Sequence, residues 1–330
     1  NADPLPKWCA CMKRIGITQA RSSDTFRNQE PLREKRTSTM KIKHYLYNAF
    51  IIEDGATKIA IDPGQNLGMF KMNSLIPESE WMGVTHILVT HGDVDHYKYA
   101  PSMAKKTNAS VMCGESLANE LRSENIMNVY PVEAGTVIEG NTHTVEGLKT
   151  EHGRLHFTLA AGMIEMENIV CHRNMGGQEI YIGPARVRQT EKEMRVFNHG
   201  TVKLLYGLIR LEKDNIDFAR GSIGYKISIN GKTVVNLGDA IFTKEWSGLQ
   251  PDILMLPIGG LGNNTWTMDV EEALIAVRLI SPQMVIPCHY SVPFLWKKKM
   301  CPADDDLFKR EVEKMGIECN LMKYGDVIEV

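Results

Sequence analysis

The sequence lacks several features that define whole classes of protein. No apolar run approaches the length of about 20 residues that crosses a membrane, and the N-terminal region lacks the hydrophobic core of a secretion signal. A net charge of −2 lacks the basic excess typical of nucleic-acid-binding proteins. The seven cysteines are scattered and odd in number, which disfavours a disulfide framework and favours a reducing compartment. We therefore expect a cytoplasmic protein that binds neither membranes nor nucleic acids.

The N-terminal residues differ in composition from the rest of the chain. Residues 1–39 are rich in Arg, Lys, Ser and Thr and show little apolar periodicity. This pattern predicts an extension that packs on the surface or is partly disordered. From residue 40 onwards, patterns of strands and helices alternate. The chain of 330 residues is therefore predicted to consist of an extension, residues 1–39, and one domain, residues 40–330.

Local patterns predict the main elements of this domain. The apolar runs 49–52 and 58–61 flank a turn that contains Gly55, which predicts a β-hairpin. A second hairpin is predicted around Asn230-Gly231, because this dipeptide favours the tight turn between two strands. Asp269, with Glu272 three residues later, is typical of a capped helix start. Strands that alternate with amphipathic helices indicate a layered α/β architecture.

The densest group of metal-binding side chains is His91-Gly92-Asp93-Val94-Asp95-His96. Four of its six residues are His or Asp, and it follows the strand-like run 87–90. A loop at the end of a strand can direct several side chains towards one point. Imidazole and carboxylate groups together suit divalent transition metals. A solvated turn would explain a lone His or Asp, but this cluster favours a metal site.

Three further candidate ligands also follow strand-like runs. His152 comes after residues 144–148, Asp239 after 233–237 and His289 after 284–287. His156 is close enough in sequence to be an alternative to His152. Every candidate ligand therefore lies at or near the end of a predicted strand, and this agreement supports the assignment more than any single residue does.

The segment 91–96 resembles the His-x-His-x-Asp-His metal-binding motif of the metallo-β-lactamase superfamily. The strand-ending segment Ile61-Asp62-Pro63-Gly64 lies upstream as in that family, and His152, Asp239 and His289 follow in the family's order. Two further segments, 267–269 and 287–290, resemble the metal-dependent hydrolases related to ascorbate-6-phosphate lactonase. The resemblance covers roughly residues 40–330. It implies an α/β fold, a four-layer αββα sandwich, in which residues 153–220 form an insertion or cap.

The resemblance also implies two divalent metal ions in one pocket. The implied ligands are His91, Asp93 and His152 for the first ion, Asp95, His96 and His289 for the second, and Asp239 between them. A metal-bridging hydroxide would be the nucleophile, Asp95 or Asp239 would relay a proton, and Asp62 would support the ligand loop from behind. Asp93 stands where the family has His, which tilts the preference from Zn towards Mn or Fe and leaves the metal identity open.

The implied activity is hydrolysis of an ester, lactone or phosphodiester in a small, anionic substrate. Arg186, Arg188 and Tyr290 are candidate substrate contacts, although residues 153–220 carry acidic residues in nearly equal number, so a solvated face is the alternative. The same segment could equally form a lid or a contact in a homo-oligomer. Two other functions stay open: a diiron oxidoreductase of the flavodiiron type, because that group also has a carboxylate at the position of Asp93, and a non-catalytic metal-binding or assembly protein.

Overall fold

The computed structural model describes most of the chain beyond the N-terminal extension. The described residues are 39–68, 72–152, 221–260, 267–293 and 299–330, together with the backbone of four strands between residues 155 and 181. They belong to one compact unit, Ser38–Val330. The predicted extension up to residue 38 and the predicted substrate contacts Arg186 and Arg188 lie outside the described residues.

The first sheet has seven strands in the order β20-β1-β2-β3-β4-β5-β6. Strands β1 to β3 form an antiparallel meander, and β3 to β6 run parallel. The predicted first hairpin is confirmed as β2–β3. The strand bounds are β1 Lys41–His44, β2 Phe50–Asp54, β3 Thr57–Ile61, β4 His86–Leu88, β5 Ser110–Cys113, β6 Val129–Pro131 and β20 Val327–Glu329.

The second sheet also has seven strands, in the order β19-β16-β15-β14-β13-β8-β7. Its central strands β14, β15 and β16 run parallel, and β13–β14 is the hairpin predicted from Asn230-Gly231. Both turn residues have positive φ, +52° and +74°, which the predicted turn requires. The strand bounds are β7 Val137–Glu139, β8 His143–Leu148, β13 Gly224–Ile229, β14 Lys232–Asn236, β15 Ile253–Pro257, β16 Met284–Cys288 and β19 Glu318–Cys319.

Five helices complete the main framework of the described residues. Their bounds are α1 Val94–Tyr97, α2 Ala100–Thr107, α3 Glu115–Ser123, α4 Val270–Ile280 and α5 Asp305–Lys314. The predicted cap of α4 is confirmed, because Asp269 Oδ1 accepts from Glu272 N at 2.9 Å and Glu272 Oε2 accepts from Asp269 N at 3.3 Å. In the part of the chain that the structure describes, no helix combines the length and apolar character needed to cross a bilayer.

The apolar residues divide into three buried clusters that define the layers. One lies between the two sheets and includes Ile61 from β3 and Ile286 from β16. A second packs α2 and α3 on the outer face of the first sheet, and a third packs α4 and α5 on the outer face of the second. Strands buried on both faces need apolar residues at nearly every position, as β15 shows. The predicted four-layer αββα sandwich is confirmed.

Among the described residues, six short strands lie outside the two main sheets and pair as three antiparallel hairpins. Four of them fall within the predicted insertion, where the structure describes only the backbone of these strands. The strand bounds are β9 Leu155–Ala160, β10 Met163–Asn168, β11 His172–Met175, β12 Gln178–Tyr181, β17 Val292–Pro293 and β18 Lys299–Met300.

Candidate metal centre

The structure brings all seven predicted ligands to one edge of the sandwich. The first sheet supplies residues 91–96, which follow β4, and the second sheet supplies His152 after β8, Asp239 after β14 and His289 after β16. Parallel neighbouring strands end at the same edge of a sheet, so loops that are distant in sequence meet there. Two sets of three side chains, His91, His152 and Asp239, and Asp95, His96 and His289, each place their ligand atoms within 4.8 Å of one another.

Asp93 lies beside the first set, and its carboxylate faces the imidazole nitrogens of His91 and His152. The Oδ2 atom of Asp93 lies 3.6 Å from Nε2 of His91 and 3.7 Å from Nε2 of His152. Asp93 thus occupies the position that the motif assigns to it, although its carboxylate replaces an imidazole. The side chains of His91 and His152 are almost fully buried, with exposed fractions of 1% and 3%.

The two imidazoles of the second set face the carboxylate of Asp95 and also that of Asp239. The Oδ2 atom of Asp95 lies 3.6 Å from Nε2 of His96 and 3.4 Å from Nε2 of His289. Asp239 Oδ2 lies 3.4 Å from Nε2 of His96 and 2.9 Å from Nε2 of His289. The same oxygen is 3.8 Å from Nε2 of His152 in the first set. Asp239, a member of the first set, therefore also faces the second set, as a bridging carboxylate would.

Asp62 lies directly beneath this edge and is completely buried. Its Oδ2 atom accepts from Nδ1 of His96 at 2.7 Å and from Oγ1 of Thr90 at 2.6 Å, and its Oδ1 atom accepts from Thr90 N at 2.7 Å. A carboxylate that accepts from Nδ1 of a histidine leaves Nε2 with its lone pair free. Asp62 is also within ligand distance of His91 and His96, but these bonds already occupy its oxygens, so it fits a supporting position.

Thr90 extends the same arrangement to His91. Its Oγ1 atom donates to Asp62 and therefore accepts from Nδ1 of His91, which is 3.0 Å away. His91 consequently carries its proton on Nδ1 and presents the lone pair of Nε2 to the site. The two histidines from the first sheet thus share one carboxylate that fixes their tautomers.

The donor set fits divalent metal ions. Nε2 of His91, Nε2 of His96 and Oδ1 of Asp239 are buried and have no hydrogen-bond partner among the described residues. Buried polar atoms are nearly always satisfied, so three such atoms directed into one site call for a bound cation. Nitrogen and carboxylate oxygen in this mixture are ligands that Zn, Mn and Fe accept.

The pKa shifts of the site's histidines and carboxylates also favour a bound cation. Burial alone would lower the pKa of His96, but Asp239, Asp95 and Asp62 outweigh it and raise that pKa well above its usual value. Burial would raise the pKa of Asp239, yet His289 and His96 lower it well below the usual range. The carboxylates thus favour positive charge at the imidazole nitrogens, and a metal ion can supply that charge in place of protons.

Two structural features beneath the site were missed from the sequence. Asn48 is completely buried and donates from Nδ2 to Asp62 Oδ2 at 2.7 Å. The backbone oxygen of Tyr47 accepts from His289 N at 3.0 Å, and the two rings meet edge to face with centroids 5.2 Å apart. One signal was available, since Asn48 is a polar residue at the start of the apolar run 49–52.

The predicted substrate contact Tyr290 lies elsewhere. Its side chain packs against the third hydrophobic cluster, on the helical side of the second sheet. His289 has φ of +50°, so the backbone turns at this residue. The structure does not bring the ring of Tyr290 to the candidate ligands.

Comparison with known proteins agrees with this geometry. Residues 41–289 match the family described as the beta-lactamase superfamily domain. The chain belongs to this family. A UPF0173 metal-dependent hydrolase from Nanoarchaeum equitans is 25% identical over 295 residues, which cover 88% of this chain and 100% of that protein. With its αββα fold, the chain is a metal-dependent hydrolase of the metallo-β-lactamase superfamily.

Solved structures show the same fold at low sequence identity. Igni18, a metallo hydrolase from the archaeon Ignicoccus hospitalis, is similar with a TM-score of 0.59 and 19% identity, over 89% of this chain and 99% of that chain. CmlA, a diiron β-hydroxylase from Streptomyces venezuelae, is similar with a TM-score of 0.57 and 12% identity, over 89% of this chain and 54% of that chain.

Proposed function

We propose that the protein uses two divalent metal ions to hydrolyse an ester, lactone or phosphodiester bond in a small anionic molecule. The observation that carries this proposal is the convergence of buried, unsatisfied atoms from both sheets, Nε2 of His91 and His96 and Oδ1 of Asp239. We assign the first ion to His91, Asp93 and His152, the second to Asp95, His96 and His289, and the bridging position to Asp239.

When bound, two divalent ions would supply a water of lowered pKa as nucleophile and would polarise the scissile carbonyl or phosphoryl group. The residues of the chain hold this arrangement rigid. Asp62 and Thr90 fix the tautomers of His96 and His91 through bonds of 2.6–3.0 Å, so both rings present Nε2 without a local rearrangement. The site is therefore preorganised for the developing negative charge of the transition state.

Asp95 is the better candidate to move a proton to the leaving group. Its side chain is 16% exposed, whereas that of Asp239 is 3% exposed. A group that exchanges protons with substrate must reach it, while a bridging ligand has to remain enclosed. We therefore assign the proton relay to Asp95 and the holding role to Asp239.

The proposed substrate class is a small anion that contains a lactone, ester or phosphodiester bond. The first choice, a sugar-phosphate lactone or similar anion, follows from the resemblance to the lactonase branch and from Arg186 and Arg188. Tyr290 is the weaker candidate for a substrate contact, because its ring packs with the third hydrophobic cluster.

The first experiment is elemental mass spectrometry on protein purified without added metal or chelator. We expect about two transition-metal ions per chain in the wild type, and loss of both metal and turnover in Asp239→Ala, tested on panels of lactones, esters and phosphodiesters. The matched control is Asp306→Ala on the exposed face of α5, which should keep both.

The element found also decides between the two enzyme classes. Zinc or manganese would support the hydrolase, whereas iron together with oxygen consumption would favour the diiron oxidoreductase that Asp93 leaves open. Full hydrolytic activity in Asp239→Ala would refute the proposed mechanism.

A further inference from the structure

Asn48 lies beneath the candidate metal centre, and all the donors and acceptors of its side-chain amide form hydrogen bonds. It belongs to a tight turn in which Leu46 and Tyr47 both have positive φ, +66° and +45°, and none of its surface is exposed. Its Nδ2 atom donates to Asp62 Oδ2 at 2.7 Å and to Asn236 Oδ1 at 2.9 Å. Its Oδ1 atom accepts from Asn236 Nδ2 at 2.9 Å and from Cys288 Sγ at 3.4 Å.

Only an amide satisfies these partners. The Asp62 carboxylate only accepts, so Nδ2 of Asn48 must face it, and this fixes the orientation of the amide. Asn48 and Asn236 then form a reciprocal pair in which each donates to the other. Asp at this position would lack the two donors, and an apolar residue would leave buried polar atoms unpaired.

Each bond of Asn48 leads to a segment that carries a candidate ligand. Asp62 holds Nδ1 of His96. Asn236 Oδ1 also accepts from Gly238 N at 3.0 Å, directly before Asp239, and Cys288 directly precedes His289. One side chain thus connects three loops from two different sheets.

We propose that Asn48 is a positioning residue that sets the affinity of the second metal position, formed by Asp95, His96 and His289 with bridging Asp239. This inference rests on the proposed function, and it adds that Asn48 supports the second metal position more than the first. The first metal position is held mainly by other means, since His91 is fixed by Thr90, and Thr90 keeps two bonds to Asp62 without Asn48. Removal of Asn48 should therefore weaken the second position more than the first.

The test measures zinc affinity at each position separately. Asn48→Ala is introduced into His91→Ala, which leaves the second position, and into His289→Ala, which leaves the first. Dissociation constants for Zn²⁺ come from competition with a chromophoric chelator, and the melting temperature of each apoprotein is recorded alongside. Asn48→Ser, which keeps a hydroxyl too short to reach all its partners, serves if the alanine variant does not fold.

A control separates positioning from general destabilisation. Ile229→Ala removes a side chain that is 2% exposed in the same layer between the sheets, at the end of β13 far in register from Asn236. It should lower the melting temperature and leave both zinc affinities within about threefold, because it supports no ligand segment.

The expected result is a loss of roughly 10- to 100-fold at the second position and less than about threefold at the first, as for other residues that orient metal ligands. Equal weakening at both positions, weakening of the first alone, or no change would overturn the inference while leaving the metal centre standing. A wild type that binds no zinc at either position would instead refute the proposed function and the inference with it.

Discussion

The carboxylate of Asp62 accepts four hydrogen bonds although it is completely buried. Three reach Oδ2, from Asn48, Thr90 and His96, and one reaches Oδ1, from the backbone of Thr90. Every partner is a donor, and a carboxylate satisfies them all because both of its oxygens accept. Asp62 also has φ of +46°, a conformation that Asp tolerates better than most residues. Both the hydrogen-bonding carboxylate and the positive φ therefore favour Asp at this position.

We expect Asp62→Asn to weaken metal binding by roughly 10- to 100-fold and to destabilise the fold, because its new amide group would face donors. The matched control is Asp252→Asn, where the carboxylate accepts from Thr233 N at 2.7 Å at the start of β14, away from the site. That variant should lose stability without losing zinc affinity. Equal zinc affinity in the Asp62 variant and the wild type, measured by chelator competition, would contradict the supporting role.

At the scale of elements, the loop after β3 packs tightly on the ligand segment. An ideal Cβ on Gly64 would lie at clashing distances from the carbonyl carbon of Asp95 and from His96 N. No side chain fits at such distances, so the close approach of β3 and α1 depends on a glycine. The backbone bond from Gln65 N to Val94 O, 2.9 Å, holds the same contact.

Gly64→Ala should therefore displace residues 94–96 and lower both metal content and turnover by at least about tenfold. Gly55→Ala is the matched control, because it lies at the opposite end of the β2–β3 hairpin, where nothing is within 4 Å of the added Cβ. Its positive φ of +57° would cost about 1 kcal/mol of stability and leave the site intact. Wild-type metal content in Gly64→Ala, measured by elemental analysis, would show that the loop can shift without loss of metal binding.

A histidine pair lies at the starts of β4 and β8 and links the two sheets away from the metal centre. The rings of His86 and His143 meet edge to face with centroids 4.3 Å apart. Burial, together with the neighbouring His143, lowers the pKa of His86 to about 4, and burial lowers the pKa of His143. The unfolded chain therefore binds more protons than the folded one below the usual pKa of about 6.5, so stability should fall as the pH drops from there towards 4.

The substitution His143→Leu should reduce this acid sensitivity. The drop in melting temperature between pH 7 and pH 5 is expected to be smaller than in the wild type, because one proton-binding site of the unfolded chain is gone and His86 loses its charged neighbour. Met127→Leu, at a side chain that is 76% exposed, should show the wild-type drop. An unchanged drop in the His143 variant would mean that other groups control the acid response.

The elements that could be predicted from sequence are those with local causes. The hairpin at Asn230 and the cap at Asp269 depend on residues within a few positions, and both were confirmed. Asn48 could not be found in this way, because its partners Asn236 and Cys288 are 188 and 240 positions away. The candidate ligands were recognised because a known motif orders them, whereas the position of Tyr290 depends on a backbone turn at His289 that composition does not reveal.

At the scale of the whole molecule, the candidate metal centre joins the two sheets at one edge. The first sheet contributes residues 91–96 and the second contributes His152, Asp239 and His289. Carboxylates from both sheets face this edge, so a cation bound there would attract ligands of both sheets and hold the edge closed. The sandwich should therefore depend on metal for stability as well as for catalysis.

Removal of metal with a chelator should lower the melting temperature, and readdition should restore it. Metal at 100 times its dissociation constant stabilises the folded state by about 2.7 kcal/mol, which corresponds to roughly 4–5 °C for a domain of this size. Asp239→Ala should melt at the same temperature with and without chelator, because it lacks the bridging carboxylate that both positions share. The contrary result would be a wild-type protein that holds two ions by elemental analysis and whose melting temperature does not change after they are removed. The ions would then bind without stabilising the sandwich, and their role would be limited to catalysis.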